Sequence, residues 1–563
     1  MKFNHQRLFT PLALIILISS CAQLPTLFKS SDASKVTIEE VEIVKQALTE
    51  EKPLEVCLLE NTSVDPESYT DLWSRVASQL NMTIPTNRRF DAQRAWYARH
   101  PNYLKRVSNR ASPYLYFIVT EIEKRQLPME LALLPIVESA FDPFAYSHGR
   151  AAGMWQFVPR TGKSYGLKQN WWYDGRRDVY LSTLAALDYL TYLNKRFKGD
   201  WLHALAAYNS GEGNVRKAIR KNKKKGKPTD FWSLKLPKET KAYVPKLLAL
   251  ADLLNHAVKQ QSANDIQSKL MQADQIQSNE TESNWSFIAN EPYFQRVETG
   301  GQIDLSLIAD LSEQKMSDFY QINPAFNRWA TPPSGPHYVL LPINKVERFK
   351  NNLKTIPSNE RIEFKRYKIK SGDSLSRIAS RNSTSVELLR STNNIKGNRI
   401  REGKTLLLPI ASKSRSKYTK SNQQRLLAKH QTKRKGHKLT IKVKSGDSFW
   451  TLSRRYKVNL RNLAKWNNMA PRDPLKIGQT LVLWITDPNK YANLTATSSK
   501  MSANQKTKKI HYKVRNGDSF ARIASKFNTS INKIKKWNRL LSRNKYLQPG
   551  QSVTLFVDVT RQY

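Results

Sequence analysis

The carboxy-terminal half of this chain repeats itself, and the repetition restricts its fold more than any other feature. One copy opens at Tyr367-Lys-Ile-Lys-Ser-Gly-Asp-Ser, leads to Asn393-Asn394 and closes at Gly403-Lys-Thr-Leu-Leu-Leu-Pro409. A second opens at Ile441-Lys-Val-Lys-Ser-Gly-Asp-Ser, leads to Trp466-Asn467-Asn468 and closes at Gly478-Gln-Thr-Leu-Val-Leu. The third opens at Tyr512-Lys-Val-Arg-Asn-Gly-Asp-Ser, leads to Trp537-Asn538 and closes at Gly550-Gln-Ser-Val-Thr-Leu. Each reads as a short alternating strand, a Gly-Asp turn whose Asp or following Ser caps a helix, a second short helix ending near Asn, and a returning strand. The predicted unit is β-α-α-β.

A worn fourth copy precedes them over 291–345. Val297-Glu-Thr-Gly-Gly-Gln-Ile leads to Ile322-Asn323-Pro324 and closes at Tyr338-Val-Leu-Leu-Pro342, with Gly300-Gly301 in place of the Gly-Asp turn. The pattern resembles LysM modules, small domains that bind glycans containing N-acetylglucosamine. The resemblance implies modules over 365–411, 439–486 and 510–558, with a basic linker at 412–438 and another linker at 487–509. Loss of the Gly-Asp turn makes the 291–345 copy as much a structural module packed on its neighbour as a glycan binder. Gly403 to Gly446 holds no Asp or Glu while Lys and Arg abound. Such a run is expected to stay solvated, either as a spacer or as an attraction to anionic wall or lipid.

Before the repeats, residues 68–256 carry a different period. Tyr69, Leu72, Trp73, Val76 and Leu80 recur at helical spacing, as do Tyr114, Phe117, Ile118 and Ile122. Leu181 to Leu193 marks a further helix, opened by Asp178 as cap and ended near Gly199. Alternating strand patterns are scarce, so this region is predicted to be all-α. Residues 257–290 turn polar and rich in Gln, Ser and Asn, and read as a linker.

Within the helical region, Glu138 ends an apolar run, Leu131 to Val137, that Asp142-Pro143 soon closes. Pro135 suits a first helical turn. A carboxyl so surrounded has its pKa raised by desolvation and can act as a general acid, although a lone Glu at a helix end also suits a salt bridge. Gly153-Met154-Trp155-Gln156-Phe157 follows, then Ala207-Tyr208-Asn209-Ser210-Gly211, then Glu239-Thr240 with Tyr243-Val244-Pro245. In that order these motifs resemble those of the lysozyme-like lytic transglycosylases. The fold expected is therefore α+β multidomain: an all-α lysozyme-like catalytic domain, then small β-α-α-β LysM modules on linkers.

The resemblance implies an enzyme that cleaves the MurNAc-(β1,4)-GlcNAc bond of peptidoglycan without water and leaves 1,6-anhydro-MurNAc ends. It implies Glu138 as the single acid and base, and Gln156 and Asn209 as groups that position the sugar and its acetamido arm. It further implies Tyr243 orienting Glu138, Tyr208 at the substrate, and Ser139 and Met154 lining the cleft. Packing in the core is the plainer reading of Met154, Trp155 and Phe157, and the favoured one for Phe157. A hydrolytic muramidase would need a second carboxylate or a positioned water. Asp142 reads better as a helix-end residue, and Glu212 is the loop carboxylate to consider. A non-catalytic wall anchor is the reading in another class.

The first twenty residues read as a leader: Lys2 and Arg7, an apolar run from Leu8 to Ile18 too short to span a bilayer, then Ser19-Ser20-Cys21. This resembles a bacterial lipoprotein signal, with Cys21 lipidated, a tether over 21–67, and Ala22 favouring the outer membrane, facing the periplasm. Cys57 is the other cysteine, so neither a disulfide nor a metal site is expected, and no cofactor. Lys and Arg number 93 against 46 Asp and Glu, a net of +47, which calls for a polyanionic partner. An exported lipoprotein does not meet nucleic acid, which leaves the carboxylate-bearing cell wall and the membrane surface.

Overall fold

The computed structural model describes residues 68–271, 285–487, 507–527, 529–538, 541 and 546–558. The leader, Cys21, the tether and Cys57 lie outside the described residues, as does most of the linker expected at 487–509.

The regular elements of residues 72–271 are all helices, joined by turns and loops. α1 (Leu72–Ala77), α2 (Arg88–Ala98), α3 (Pro101–Ala111) and α4 (Leu115–Lys124) come first. Asp71 and Asn87 cap α1 and α2, and Pro101 sits where a missing N–H costs nothing. α5 (Leu134–Ser139) and α6 (Pro159–Ser164) are short, and α7 (Val179–Arg196) is long. α8 (Trp201–Ser210), α9 (Glu212–Lys223) and α10 (Lys238–Met271) complete the set. Asp178 caps α7 by accepting from Leu181 N, as its position before the apolar run predicts. Ile118 and Val119 of α4, Leu187 and Leu190 of α7, Leu205 of α8 and Leu247 and Leu248 of α10 are all buried in one core.

The stretch 257–290 is not a linker at either of its described ends. α10 runs on to Met271 because Ala, Lys and Gln propagate a helix without needing an apolar face. Trp285 and Ile288 return to the helical core, where Trp285 lies 4.7 Å from Trp73 between ring centres and Ile288 O accepts from Leu72 N at 2.8 Å. Two apolar residues without a period gave no sign of this.

The module that follows pairs β1 (Phe294–Glu298) with β2 (Tyr338–Pro342), antiparallel, Val297 opposite Val339. Between them lie α11 (Leu305–Leu311) and α12 (Met316–Ile322), and α13 (Ile343–Lys354) follows. Its core includes Trp172 and Tyr173 from the loop before α7. Asp174 N donates to Ala325 O at 2.9 Å and Asn327 N to Trp172 O at 2.7 Å, so the two backbones are stitched together. Tyr173 and Tyr338, one from each side, donate to Asp178 Oδ2 at 2.5 and 2.8 Å. This worn copy is a packed structural unit.

The three clear repeats each form the predicted unit. The first has β3 (Glu363–Lys368), α14 (Leu375–Arg381), α15 (Val386–Thr392) and β4 (Thr405–Ile410). Then come α16 (Asn422–Gln431) and the second, β5 (His437–Lys442), α17 (Phe449–Tyr456), α18 (Leu460–Trp466) and β6 (Thr480–Ile485). The third has β7 (Thr507–Lys513), α19 (Phe520–Lys526), α20 (Ile531–Trp537) and β8 (Ser552–Asp558). Ser374, Ser448 and Ser519 are the caps, not the Asp before them. The repeated Asn exchanges two hydrogen bonds with the return strand: Asn393 with Leu407, Asn467 with Val482, Asn538 with Thr554. Asn323 does the same with Leu340 in the worn copy.

The basic linker expected at 412–438 is not wholly solvated. Tyr418 is buried in the worn module's core and donates to Asp304, the cap of α11, at 2.9 Å. One aromatic side chain outweighs the polar run around it, since a buried Tyr contributes roughly 2 kcal/mol or more by area. The first LysM repeat is also fixed in place, with Trp329 Nε1 donating to Ser383 O at 3.0 Å and Leu388 joining the same core.

Asp178 therefore caps a helix and pairs two buried hydroxyls. Asp178→Ala is expected to cost about 3 kcal/mol, the sum of a lost cap and two unpaired buried groups. Urea unfolding followed by circular dichroism checks it; a loss under about 1 kcal/mol rules this junction out as a main tie.

Candidate active site

Glu138 stands at the end of α5, where the chain turns sharply. Ala140 and Phe141 both take left-handed backbone angles, φ 52° and 54°. Such angles are costly outside Gly and persist only where packing enforces them. Here Phe141 is fully buried and its N–H closes on Pro135 O at 3.2 Å. The turn holds Glu138 on the floor of a cleft of about 620 Å³.

The facing wall is the turn from Gly153 to Phe157. Gly153 has φ 83°, and a Cβ there would lie 1.9 Å from Arg176 O, so only Gly fits. Arg176 holds this wall further, donating to Arg150 O at 2.6 Å and Phe157 O at 3.2 Å. Gln156, at φ 49°, lines the cleft and donates Nε2 to Gly153 O at 2.7 Å. Tyr208 and Asn209 line it from the end of α8, where Gly211 breaks the helix. Tyr208 donates to Trp155 O at 2.8 Å. Asn209 Oδ1 accepts the Thr240 hydroxyl at 2.7 Å, which leaves the amide NH₂ for a ligand. Tyr243, buried on α10, donates a hydrogen bond to Glu138 Oε1.

Burial pushes the Glu138 carboxyl up to about 7. The Tyr243 hydrogen bond, which favours the carboxylate, opposes this, and the charge of Glu239 adds to it. Only part of the residue surface is exposed, and that part faces the cleft.

Of the residues read from sequence, Glu138, Gln156, Tyr208, Asn209 and Tyr243 meet in this cleft. Ser139 and Met154 do not line it. The Met154 side chain is in the core, 1% exposed, and Ser139 Oγ donates to Met154 O at 2.9 Å, so this pair ties α5 to the wall behind the cleft. Phe157 packs in the core, as its plainer reading held, while also touching the cleft. Glu212 points away. Desolvation is the largest single effect and raises its carboxyl, but hydrogen bonds from Arg196, Arg216 and Tyr192 and the charge of Arg196 together hold it below the ordinary range. Asp142 accepts from Phe144 N at 2.9 Å, a helix-end role. Sequence reasoning missed Tyr189, Thr161, His148, Lys246 and Glu239 as cleft residues. Only Glu239 stood inside a motif, and Tyr189 is hidden in an apolar helical pattern.

A family model described as "Transglycosylase SLT domain" matches residues 116–231, which include Glu138, Gln156 and Asn209 but stop short of Glu239 and Tyr243. LysM models match 367–409, 441–484 and 512–556, and "Lytic transglycosylase MltD, LysM-like domain" matches 293–358, the worn copy together with α13. Membrane-bound lytic murein transglycosylase D of Escherichia coli (strain K12) is 37% identical over 432 residues, 74% of this chain and 87% of that one. The chain belongs to that family. As a lytic murein transglycosylase D relative, it carries the α+β multidomain build expected, a helical SLT domain followed by LysM modules. A putative tributyltin chloride resistance protein of Alteromonas sp. (strain M-1) is 53% identical over 138 residues, 24% of this chain and 67% of that one. Among solved structures, the lytic transglycosylase Slt of Pseudomonas aeruginosa, as an inactive mutant, matches 25% of this chain and 24% of that one at 24% identity, with a TM-score of 0.21.

A carboxyl whose folded pKa is raised adds stability below its unfolded value, and that stability is lost as pH rises through about 7. Glu138→Gln lacks the penalty. It is expected to gain on the wild type between pH 5 and 8.5, by up to about 3 kcal/mol, in urea midpoints. Tyr243→Phe should move the window of loss upward and Glu239→Gln downward.

Proposed function

We propose that this transglycosylase cleaves the MurNAc-(β1,4)-GlcNAc bond with Glu138 as sole acid and base. The Glu138 proton passes to the glycosidic oxygen as the bond from muramoyl C1 to that oxygen breaks. The 2-acetamido oxygen supports the oxocarbenium-like C1, with Asn209 NH₂ and Gln156 placed to orient it. The Glu138 carboxylate then takes the proton of the C6 hydroxyl, O6 bonds to C1, and the 1,6-anhydro ring closes. No water is consumed. One observation carries this reading: a carboxyl near 7 at the cleft floor, held through one oxygen by Tyr243. A group poised there gives and takes a proton with similar ease.

A hydrolytic reading would use Glu239, the other carboxylate of the cleft. Glu239 is solvent-exposed at the start of α10, which suits a group that tunes Glu138 by its charge. The three LysM matches support retention on wall glycan. The leader and Cys21, with a relative named as membrane-bound, support a lipid anchor in the outer membrane facing the periplasm.

Muropeptides released from purified sacculi are expected to be one water lighter than hydrolysed ones. Glu138→Gln should lower their release at least about 10³-fold, and Asn209→Ala about 10–100-fold. Glu239→Gln should still give anhydro ends; ordinary reducing ends from the wild type would make the enzyme a hydrolase. Cys21→Ala should abolish palmitate incorporation and release the protein from membranes, both read on fractionated cells.

A further inference from the structure

A second cavity, of about 650 Å³, adjoins the cleft and shares Ser147 and His148 with it. Its walls come from three parts of the chain: the 142–148 loop beside the cleft, helix α16, and α18 with Asn468 and Met469 of the second LysM repeat. Asp473 of that repeat fixes the assembly. It pairs with Arg150 Nε at 2.7 Å and accepts from Tyr146 OH at 3.1 Å. The turn that bounds the cleft on one face thus holds the LysM repeat on the other.

The cavity is positive. Lys420, Arg425, Lys429 and Lys465 line it, with Asp142 the only lining carboxylate, and that one already accepts from Phe144 N. None of the four cations has an ion-pair partner among the described residues. Arg425 is held in place by its bonds to Lys420 O and to Asn327 Oδ1 at 3.1 Å, and its guanidinium lies over the Phe144 ring. Behind it, Arg176 and Arg177 share the one carboxylate of Asp174. Burial, first, and the like charges of Arg177 and Arg328 lower the Arg425 pKa to about 9, against the opposing pull of Tyr320 and Asp174.

We propose that this cavity takes the carboxylates of the peptide stem borne by the muramoyl unit next along the strand, so that α16 and the second LysM repeat form part of the substrate site. The inference rests on the transglycosylase reading above. A stem hangs from the lactyl arm of each muramoyl unit and carries free carboxylates, and the cavity opens next to the cleft through the shared Ser147 and His148. The held guanidinium of Arg425, with the lysine ammonium groups beside it, would hold a carboxylate by charge-assisted hydrogen bonds.

The test uses full-length protein in detergent and two substrates: glycan strands with stems intact, and the same strands stripped of stems by an amidase. KM is measured on each by release of anhydro ends. The wild type is expected to show a KM about tenfold higher on stripped strands, a ratio that shrinks at about 0.5 M salt. Arg425→Gln should bring the ratio near one, as should Lys429→Gln with Lys465→Gln, both exposed, which covers the case where Arg425→Gln does not fold. Lys223→Gln with Lys224→Gln, on and beside α9, controls for overall charge and should keep the wild-type ratio. A wild-type ratio of one, or a ratio that survives both cavity variants or falls equally in the α9 control, overturns the proposal. Anhydro ends from both substrates at equal KM would leave the transglycosylase reading standing; none from either would sink that reading too.

Discussion

The segment from Asn170 to Asp178 is the constraint on which the rest of the structure depends. Its first half, Trp172 and Tyr173, is buried in the core of the worn LysM module. Its second half builds the candidate active site: Arg176 O leaves no room for a Cβ at Gly153, and the Arg176 side chain grips the Gly153–Phe157 wall at Arg150 O and Phe157 O. Asp178 then starts α7 and accepts the hydroxyls of Tyr173 and Tyr338. One short stretch therefore couples cleft geometry to module packing. The worn copy has the double hydrogen bond through Asn323 that orders the clear copies, and it lacks the Gly-Asp turn they share. A module under selection for packing would retain the first feature and be free to lose the second.

What the sequence made legible follows from where local chemistry decides the outcome. Helical periods, the Asp178 cap, the β-α-α-β repeats and the five residues that meet at the cleft all depend on nearby residues or on ordered motifs. Errors arose where one distant contact decides. Trp285 and Tyr418 each sit in a polar run with no period, and each is buried only because a pocket elsewhere in the chain fits it. Met154 was misplaced for a related reason: motif order puts it in the cleft wall, but only the backbone turn at Gly153 decides which side chain of that wall faces the core. The cap in each LysM unit was ambiguous between Asp and Ser because both precede the helix; Ser takes the N3 amide, while Asp373, Asp447 and Asp518 accept backbone N–H groups of the turn before it.

The state of Glu138 is a balance of opposed effects, and each has a separate source in the chain. The apolar run of α5 supplies the desolvation, which raises the pKa. Tyr243 arrives from α10, more than a hundred residues later, and pulls it back by bonding the carboxylate. Glu239, one turn earlier on the same helix, pushes it up again. Desolvation alone would give a group too reluctant to ionise to act as the base of the second step, and the hydrogen bond alone one too acidic for the first. In the proposed mechanism both steps fall to one carboxyl, which makes a value near the working pH a requirement of that chemistry.

Binding modules on long flexible linkers raise local substrate concentration but cannot place a particular sugar against a particular acid. Here the first LysM repeat shares a core with the worn module, and the second is pinned to the cleft wall through Asp473. That changes what the modules can do. A ligand held at once by the cleft and by a fixed module meets a rigid span, so the ordering cost of bringing the two sites together is met in folding and not in binding. With the stem bound as proposed, rigid placement also restricts which strands can bind productively, because a strand must then present its stem and its scissile bond at the spacing the protein sets. Fixing the modules gives up some reach along the wall and gains positional selectivity at the bond that is cut.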